Sequence, residues 1–300
     1  MMRKGDVEMS KNNLYRDSQI ARTKKKVRAI AQTIIAIAVT LIFAFPLYWM
    51  INTSMKSHAE MTSVIPTWLP IEGLHWENYA AAFAKVPLLR YMLNTIYVTA
   101  LQLILQLGTG VLAAYGFARG NFPCKNLLFT LVLGALMIPQ QVTFIPMYIL
   151  ISKLDWVDTF AGLVLPASVS AYMIFMLRQN FMSVDQSYLD AGRLDGLGIV
   201  GTIRHILVPM CRSSIATVTF VTLMDGWNNY FWPKILVKSD GIRPIALGLA
   251  YLKNTWDANI RFQNFNILMA AVLISLVPVV ILFVLNQGNM LSGYSKAAMK

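Results

Sequence analysis

Three glycines in the second half of the chain match a pattern that can bind phosphate. Gly196, Gly198 and Gly201 form a G-x-G-x-x-G sequence, in which backbone N–H groups approach the pyrophosphate of a dinucleotide. That chemistry requires a strand before the glycines and a helix after them, within a βαβ unit. Here a membrane-length apolar stretch begins at residue 213, which leaves no room for such a unit. The sequence therefore disfavours nucleotide binding at these glycines, and it contains no G-x-x-x-x-G-K-[ST] phosphate loop.

The residues just before these glycines have the pattern of a short polar helix. We expect a helix over 187–195 (SYLDAGRLD), with Ser187 as its N-cap and Asp190 at its third position. Gly196 then ends the helix and permits a sharp backbone turn that a residue with a Cβ would resist. A second helical segment follows, and its apolar face is formed by Ile199, Ile203, Ile206 and Leu207.

A second polar group lies 12 residues into the apolar stretch that begins at residue 213. Its first residue is Asp225. A carboxylate inside a membrane span usually faces a cavity or a partner, because its burial in the apolar bilayer is costly. Aromatic rings and amides follow, which suit stacking on a sugar and hydrogen bonding to it; they are Trp227, Asn228, Asn229 and Tyr230. A structural interpretation stays open, in which Trp227 and Trp232 belong to the interfacial aromatic belt and the asparagines join helices.

Metal and nucleophile chemistry has little support in the sequence. The two cysteines, Cys124 and Cys211, lie far apart, and the three histidines are scattered, so we expect neither a metal site nor a disulfide framework. An integral membrane enzyme is an alternative, but there is no H-E-x-x-H sequence and no nucleophile motif to support it.

The elements that must position these residues are membrane helices. Hydrophobic residues make up 56% of the 300 residues and charged residues only 13%, whereas soluble domains carry about 25% charged residues. Stretches without charge, or nearly so, are long enough to span a membrane. The predicted spans are 28–53, 90–117, 126–151, 158–179, 213–236 and 264–287. Prolines inside them predict kinks; they are Pro46, Pro139, Pro146, Pro166 and Pro278.

The basic residues predict the orientation of these spans. Nine of the 26 Lys and Arg residues lie in the first 28 positions, which is typical of a cytoplasmic flank that contacts anionic lipid. With the N-terminus inside, cytoplasmic segments hold 17 basic residues and outer segments hold the other 9. The net charge of +12 is thereby explained without nucleic acid, and both termini are expected in the cytoplasm.

Several stretches resemble permease subunits of carbohydrate-uptake ABC importers, of the maltose-type (MalG-like) family. Asp190, Ala191 and Gly192 occupy the positions of that family's E-A-A loop, Gly196 matches its glycine, and 207–209 (LVP) matches the end of the loop. Further motifs occur in the family's order; they are ENYAAAFAKVPLLRYMLNT (77–95), AAYGFARGNFPCKNLLF (113–129), MIPQQVTFIPMYILISKL (137–154), LPASVSAYMIFMLRQNF (165–181) and DGWNNYFWP (225–233). The resemblance extends from about residue 27 to the C-terminus.

The resemblance implies an all-α integral membrane protein with six transmembrane helices in the type I ABC importer permease fold, with both termini cytoplasmic. It also implies a division of the chain: a basic cytoplasmic segment (1–27), a first transmembrane helix with an extracytoplasmic loop (28–89), a core domain (90–287) that contains the cytoplasmic coupling loop (183–210), and a cytoplasmic tail (288–300).

The function implied is that of a permease subunit of an ATP-driven importer, which moves a sugar or oligosaccharide across the bacterial cytoplasmic membrane. An anionic sugar is left open by the basic outer loop, and an ion-coupled secondary transporter is the alternative. The implied partners are a second homologous permease, two ATPase subunits, an extracytoplasmic solute-binding protein and lipid, without nucleic acid. The chain itself is expected to be no enzyme and to bind no cofactor, since the ATPase subunits use ATP and Mg.

The resemblance also assigns roles to residues of two loops. The segment expected to contact the ATPase is formed by Asp190, Ala191, Gly192, Arg193, Leu194, Asp195 and Gly196. The residues expected to contact the solute-binding protein are Arg243, Lys253 and Arg261. In maltose-type importers the partner permease supplies most substrate contacts, so the role of Asp225 and its neighbours stays open.

Overall fold

The computed structural model describes residues 4–63, 65–254 and 264–298, with side-chain surroundings for 24–61, 63, 65–253 and 264–288. Within these ranges the chain contains helices and no strands, which confirms the all-α prediction. The α-helices are α1 (Lys4–Ser54), α2 (His58–Thr62), α3 (Glu77–Lys85), α4 (Leu88–Arg119), α5 (Lys125–Leu136), α6 (Gln140–Lys153), α7 (Phe160–Val164), α8 (Ala171–Met182), α9 (Gln186–Leu194), α10 (Ile199–Thr202), α11 (Val208–Met210), α12 (Arg212–Trp227), α13 (Phe231–Leu236), α14 (Ile245–Asn254) and α15 (Phe265–Ala298).

Four helical stretches of the described chain are each long and apolar enough to cross a membrane. They are Lys24–Ser54, Leu88–Arg119, Phe160–Met182 and Phe265–Gly288. Two bent helix pairs raise the number to six if each pair crosses once: Lys125–Leu136 with Gln140–Lys153, and Ile199–Met210 with Arg212–Leu236. The structure therefore supports a multi-pass membrane protein.

Three predicted spans are not continuous α-helices. The predicted span 158–179 divides into α7 and α8, with a turn of 3-10 helix at Leu165–Ala167 after α7. The predicted span 126–151 is broken between α5 and α6, which meet at 101°. Pro139 precedes α6 with an extended ψ of 129°, and proline has no N–H with which to continue the ladder of α5. The predicted span 213–236 also divides, because α12 ends at Trp227 and α13 begins at Phe231.

The core of the bundle forms where α4 and α8 pack along each other. Ala114 of α4 and Met173, Leu177 and Phe181 of α8 are fully buried. At Gly110 an added Cβ would lie 2.9 Å from the sulfur of Met173, so the glycine allows this close approach. Small residues at a helix contact are typical of membrane bundles, in which dispersion and not the hydrophobic effect holds helices together.

The bundle has two ends that are joined by α4. One end, called here the α9 end, contains α9 to α11 and the last turn of α4. The other, called the α14 end, contains α3, α14 and the first turns of α4 and α15. The 32 residues of α4 correspond to about 48 Å of helix, so one continuous element extends from one end to the other.

Candidate functional site

The α9 helix begins one residue before the predicted N-cap. The observed N-cap is Asp185, whose carboxylate accepts a hydrogen bond from the backbone N–H of Ser187 at 2.8 Å. The expected cap at Ser187 is therefore wrong, because Ser187 already lies inside the first turn. The hydrogen bond from Ser187 lowers the pKa of the Asp185 carboxyl, which keeps the cap ionised beside the positive end of the helix dipole.

The predicted turn at Gly196 is present. Gly196 has φ of +79°, its N–H bonds the Arg193 carbonyl at 3.0 Å, and the N–H of Leu197 bonds the Gly192 carbonyl at 2.9 Å. These two bonds form a Schellman motif, which a glycine in the left-handed region ends at the lowest cost. An added Cβ at Gly196 would meet nothing within 4 Å, so the requirement is one of backbone conformation and not of space.

The two faces of α9 differ in composition and exposure. Leu189 and Gly192 are buried against the core, whereas Leu194 is 90% exposed and Tyr188 is 55% exposed. On the exposed side Arg193 forms an ion pair of 3.1 Å with Asp190, and Gln186 donates to the same carboxylate. An exposed leucine beside a preformed polar pair has the character of an interaction surface.

The segment after Gly196 supports α9 from behind. Ile203 and Leu207 are buried and Ile206 is partly buried in the same cluster, which confirms most of the predicted apolar face. Ile199 is 61% exposed, so its predicted place on that face is wrong. Residues 203–207 form a turn of π-helix, which was not predicted; Pro209, close behind, has no N–H to donate to an ordinary α-helical ladder.

A guanidinium group joins α9 to the bundle. Arg119, the last residue of α4, donates through Nη2 to the carbonyls of Phe181 (2.7 Å) and Val184, and through Nη1 to Oε1 of Gln186 (3.0 Å). Because Gln186 also donates to Asp190 at 3.0 Å, hydrogen bonds lead from the end of α4 to the exposed face of α9. This residue was not predicted, although an arginine that ends a long span was visible in the sequence.

A polar cavity lies about halfway along the bundle. Its volume is about 630 Å³, and its lining includes Asp225, Asn228, Asn229 and Tyr230. Of these, Asp225 is 13 residues after the start of α12, or roughly 20 Å along the helix. Gln102 lines the same cavity 14 residues after the start of α4, or about 21 Å, which places the cavity near mid-membrane.

The structure brings four of the five predicted residues of this region to the cavity. Trp227 lies elsewhere: it is 6% exposed and packs among Leu88, Tyr91 and Ile245 at the α14 end. Trp232 is also buried, and its indole N–H bonds the Gly162 carbonyl at 3.0 Å. Both indole rings are thus buried within the chain, and Trp232 also lines the cavity.

Four glutamines also line the cavity, and none of them was among the predicted site residues. They are Gln102, Gln106, Gln140 and Gln141. Gln102 and Gln106 each donate to a carbonyl across the helix contact, at Leu163 and Ala167. The signal that was available is an amide inside an otherwise apolar span, since such a group usually faces a cavity or another helix.

Two of the three cations predicted to contact the solute-binding protein lie in the described chain, and their settings differ. Arg243 is only 8% exposed; it pairs with Asp240, donates to the Tyr91 hydroxyl at 3.2 Å and lies 4.0 Å from the Tyr251 ring centroid. Lys253 is exposed. Arg261 lies outside the described residues. Arg243 therefore holds the loop in place from inside, and Lys253 is the predicted cation that the structure places on the surface.

Residues 106–289 match the family described as binding-protein-dependent transport system inner membrane component. The chain belongs to this family. The matched region contains α9, Arg119 and nearly all of the cavity lining, so the features described above lie within the family's domain. The predicted domain boundaries, with a core from 90 to 287, stay a prediction.

Relatives and a solved structure agree with the family. This permease is 28% identical over 282 residues to the arabinooligosaccharides transport system permease protein AraQ of Halalkalibacterium halodurans, with 92% of this chain and 99% of AraQ covered. It is 29% identical over 255 residues to the sn-glycerol-3-phosphate transport system permease protein UgpE of Yersinia pestis, with 82% and 89% covered. A bacterial ABC transporter that imports the acidic polysaccharide alginate shares the fold, with a TM-score of 0.77 at 19% identity, covering 88% of this chain and 96% of that one. The permease therefore has the type I ABC importer permease fold.

Proposed function

We propose that this permease is a membrane subunit of an ATP-driven importer for a sugar or oligosaccharide in the bacterial cytoplasmic membrane. The observation that carries the proposal is the pairing of an exposed, preformed α9 with a polar cavity halfway along the helices that hold it. The name of the AraQ relative, at 28% identity over 92% of this chain, supports an oligosaccharide as cargo. The α9 end and both termini are then cytoplasmic.

The docking surface for an ATPase subunit is the outer face of α9. Leu194 at 90% exposure and Tyr188 at 55% supply apolar area that a partner can bury, and the Asp190–Arg193 pair supplies polar contacts at its rim. The caps at Asp185 and Gly196 hold this face before any partner binds, so little conformational entropy is lost on docking. The chain itself binds no nucleotide in this proposal; ATP and Mg are used by the ATPase subunits.

Movement of α9 is proposed to reach the cavity through α4. Arg119 links α9 to the end of α4, and Gln102 of α4 contributes to the cavity. Closure of two ATPase subunits then biases the helices between an inward-open and an outward-open state, as expected for a two-state change driven by ligand.

The remaining partners follow from the surfaces that are left exposed. A second homologous permease completes the cavity, whose glutamines Gln140 and Gln141 are exposed in this chain. A solute-binding protein docks at the α14 end, where Lys253 is exposed. A solved alginate transporter of the same fold is in complex with a pentasaccharide-bound periplasmic protein, which supports this arrangement. The most apolar part of Lys24–Ser54 in α1 is unburied within this chain and faces lipid in this proposal.

The test is uptake by the complete complex in proteoliposomes, with the solute-binding protein and a mixture of arabino-oligosaccharides and malto-oligosaccharides supplied outside. We expect uptake that requires ATP on the ATPase side and is insensitive to ionophores. Gly196→Trp is expected to abolish uptake, whereas Gly196→Asn, which tolerates a left-handed backbone, is expected to retain most of it. Uptake without ATP that fell with ionophores would instead show an ion-coupled transporter.

A further inference from the structure

The cavity carries a single kind of charge. Among its 24 lining residues in the described chain, Asp225 alone is ionisable at neutral pH, and no Lys, Arg or His lines it. Lys234 lies near, with its Nζ 5.3 Å from the centroid of the Tyr230 ring, but it is not part of the lining. The charge that the described part of this chain contributes to the cavity is therefore that of one carboxylate.

The carboxylate of Asp225 has no protein partner. Within the described residues it forms no hydrogen bond and no ion pair. An intramembrane carboxylate without a partner is costly unless water or a ligand completes it. Asp225 is thus available to accept hydrogen bonds from a molecule in the cavity.

Other polar groups of the cavity are also available to form hydrogen bonds with a molecule inside it. The side-chain amides of Gln140, Gln141 and Asn229 form no hydrogen bonds to other described residues, and neither do the hydroxyls of Tyr172 and Tyr230. Amides and hydroxyls both donate and accept, which matches the hydroxyl groups of a sugar. Phe231, 58% exposed on the same wall, adds an aromatic surface of the kind on which a sugar ring packs.

We propose that this cavity receives an uncharged saccharide whose hydroxyls donate to Asp225, and that Asp225 excludes sugars that carry carboxylate or phosphate. The proposal rests on the importer function above and specifies its cargo. An anionic group within about 5 Å of Asp225 would lose at least about tenfold in occupancy, because like charges repel strongly where the effective dielectric constant is about 20.

The experiment measures the charge selectivity of the cavity in the complete complex. Asn229→Cys places a thiol on the lining, and two methanethiosulfonate reagents of similar size are compared, one with a trimethylammonium group and one with a sulfonate. Mass spectrometry of the peptide that contains residue 229 gives both rates. We expect the cationic-to-anionic rate ratio to exceed that of 2-mercaptoethanol in solution by at least about tenfold.

Two further variants locate the source of the selectivity. In the Asn229→Cys background, Asp225→Asn is expected to return the ratio to within about threefold of the free thiol. Asp155→Asn is the matched control, because it removes the same charge from an exposed residue outside the cavity, and it is expected to leave the ratio unchanged. A ratio equal to that of the free thiol, a ratio unaffected by Asp225→Asn, or a thiol that neither reagent reaches would overturn the proposal.

A second measurement addresses the cargo directly. Proteoliposomes are supplied with uncharged oligosaccharides and oligouronates of equal length, and the contents of the lumen are identified by mass spectrometry. Accumulation of oligouronates by the wild-type complex would overturn the proposed substrate class. Reagent selectivity needs no ATP hydrolysis, so a failure of ATP-driven uptake with intact selectivity would contradict the importer function and not the charge of the cavity.

Discussion

Gly192 shows how a single missing Cβ shapes the packing of α9. A Cβ at this position would lie 2.5 Å from Cδ1 of Ile206 and 3.3 Å from Cδ1 of Leu197. The E-A-A pattern of maltose-type permeases has alanine here, whereas the glycine in this chain leaves room for Ile206. The atom that would clash is the end of a side chain, which can move, and we therefore expect a modest penalty and not a collapse of the loop.

Gly192→Ala is expected to lower the free energy of unfolding by about 1 kcal/mol, the lower end of the cost of overpacking. Ile206→Val removes Cδ1, so the double variant should regain most of the loss. Thermal unfolding of the purified complex measures both, and Gly198→Ala is the matched control because its Cβ would meet nothing within 4 Å. Strictly additive effects of the two changes would show that Gly192 and Ile206 do not interact.

At the scale of elements, the sequence predicted the helices better than their breaks. Charge-free stretches locate apolar helices because a bilayer demands about 20 such residues, and α4 and α15 fit this rule well. The break between α5 and α6 depends on how Pro139 is packed, and proline inside a span is compatible with either a kink or a break. The N-cap at Asp185 was missed for a related reason, since Asp185 and Ser187 are both good caps and only the fold selects one.

The cavity was predicted in part for similar physical reasons. Asp225 and the adjacent amides stand out because polar groups in a span need partners. The contributions of Gln102 from α4 and Gln140 from α6 depend on which helix faces meet, and that information lies in the three-dimensional packing. Trp227 shows the opposite error, because its neighbours in sequence line the cavity while its own side chain turns into the core.

In the proposed mechanism, Arg119 forms the link between α4 and α9. Arg119→Gln removes the charged donors to Phe181, Val184 and Gln186. A hydrogen bond that involves a charged group contributes about 1.5–3 kcal/mol. We expect uptake to fall by about tenfold, equivalent to about 1.4 kcal/mol, while the amount of assembled complex stays unchanged. Uptake and co-purification of the subunits measure the two effects.

Arg204→Gln is the control for that change. Arg204 lies at the same α9 end of the bundle and is exposed, and its side chain forms no hydrogen bond, ion pair or ring contact with another described residue. Removal of its charge is therefore expected to leave uptake within about twofold. Equal losses of uptake in the two variants would attribute the effect to the positive charge of this end and contradict the role of Arg119 as a link.

At the scale of the whole molecule, buried polar contacts hold distant segments of the α14 end together. Asn266 donates to the Lys56 carbonyl and to Asn78, and Asn78 donates to the Ser54 carbonyl, which joins the ends of α1, α3 and α15. Asp158 accepts from the backbone N–H groups of Lys238 and Ser239. These contacts fix one end of the bundle, so we expect the larger movements of transport at the α9 end.

The contact at Asp158 leads to a pH prediction. Burial raises the pKa of this carboxyl, but the hydrogen bonds from Ser239 and Lys238 and the Lys238 charge lower it by more, to below the ordinary 3.8. A depressed folded-state pKa stabilises the protein above the unfolded value, and the stabilisation is lost as the pH falls through the folded value. Asp158→Asn is therefore expected to lower the melting temperature at pH 7 and pH 5, and the difference from wild type should shrink at pH 3.

The Asp158→Asn substitution tests the contribution of the charge alone. Asp158 has φ of +58°, a conformation that asparagine tolerates, so the variant removes the charge without adding backbone strain. Asp155→Asn, at φ of +54°, is the matched control, because the Asp155 carboxylate forms no hydrogen bond to another described residue. A difference between Asp158→Asn and wild type that stayed constant from pH 7 to pH 3 would contradict the assignment.

The central claim is that the exposed face of α9 docks on an ATPase subunit, and site-specific photo-cross-linking tests it most directly. The photoreactive residue is introduced as Leu194→p-benzoylphenylalanine at the most exposed point of that face, and as Trp68→p-benzoylphenylalanine, which is 67% exposed in the loop after α2, as a control. On irradiation of the complete complex, residue 194 is predicted to link to the ATPase subunit, with a yield that changes when ATP is added, and residue 68 is not. Absence of an ATPase adduct at residue 194 in an assembled complex, or an equal adduct at residue 68, would contradict the account.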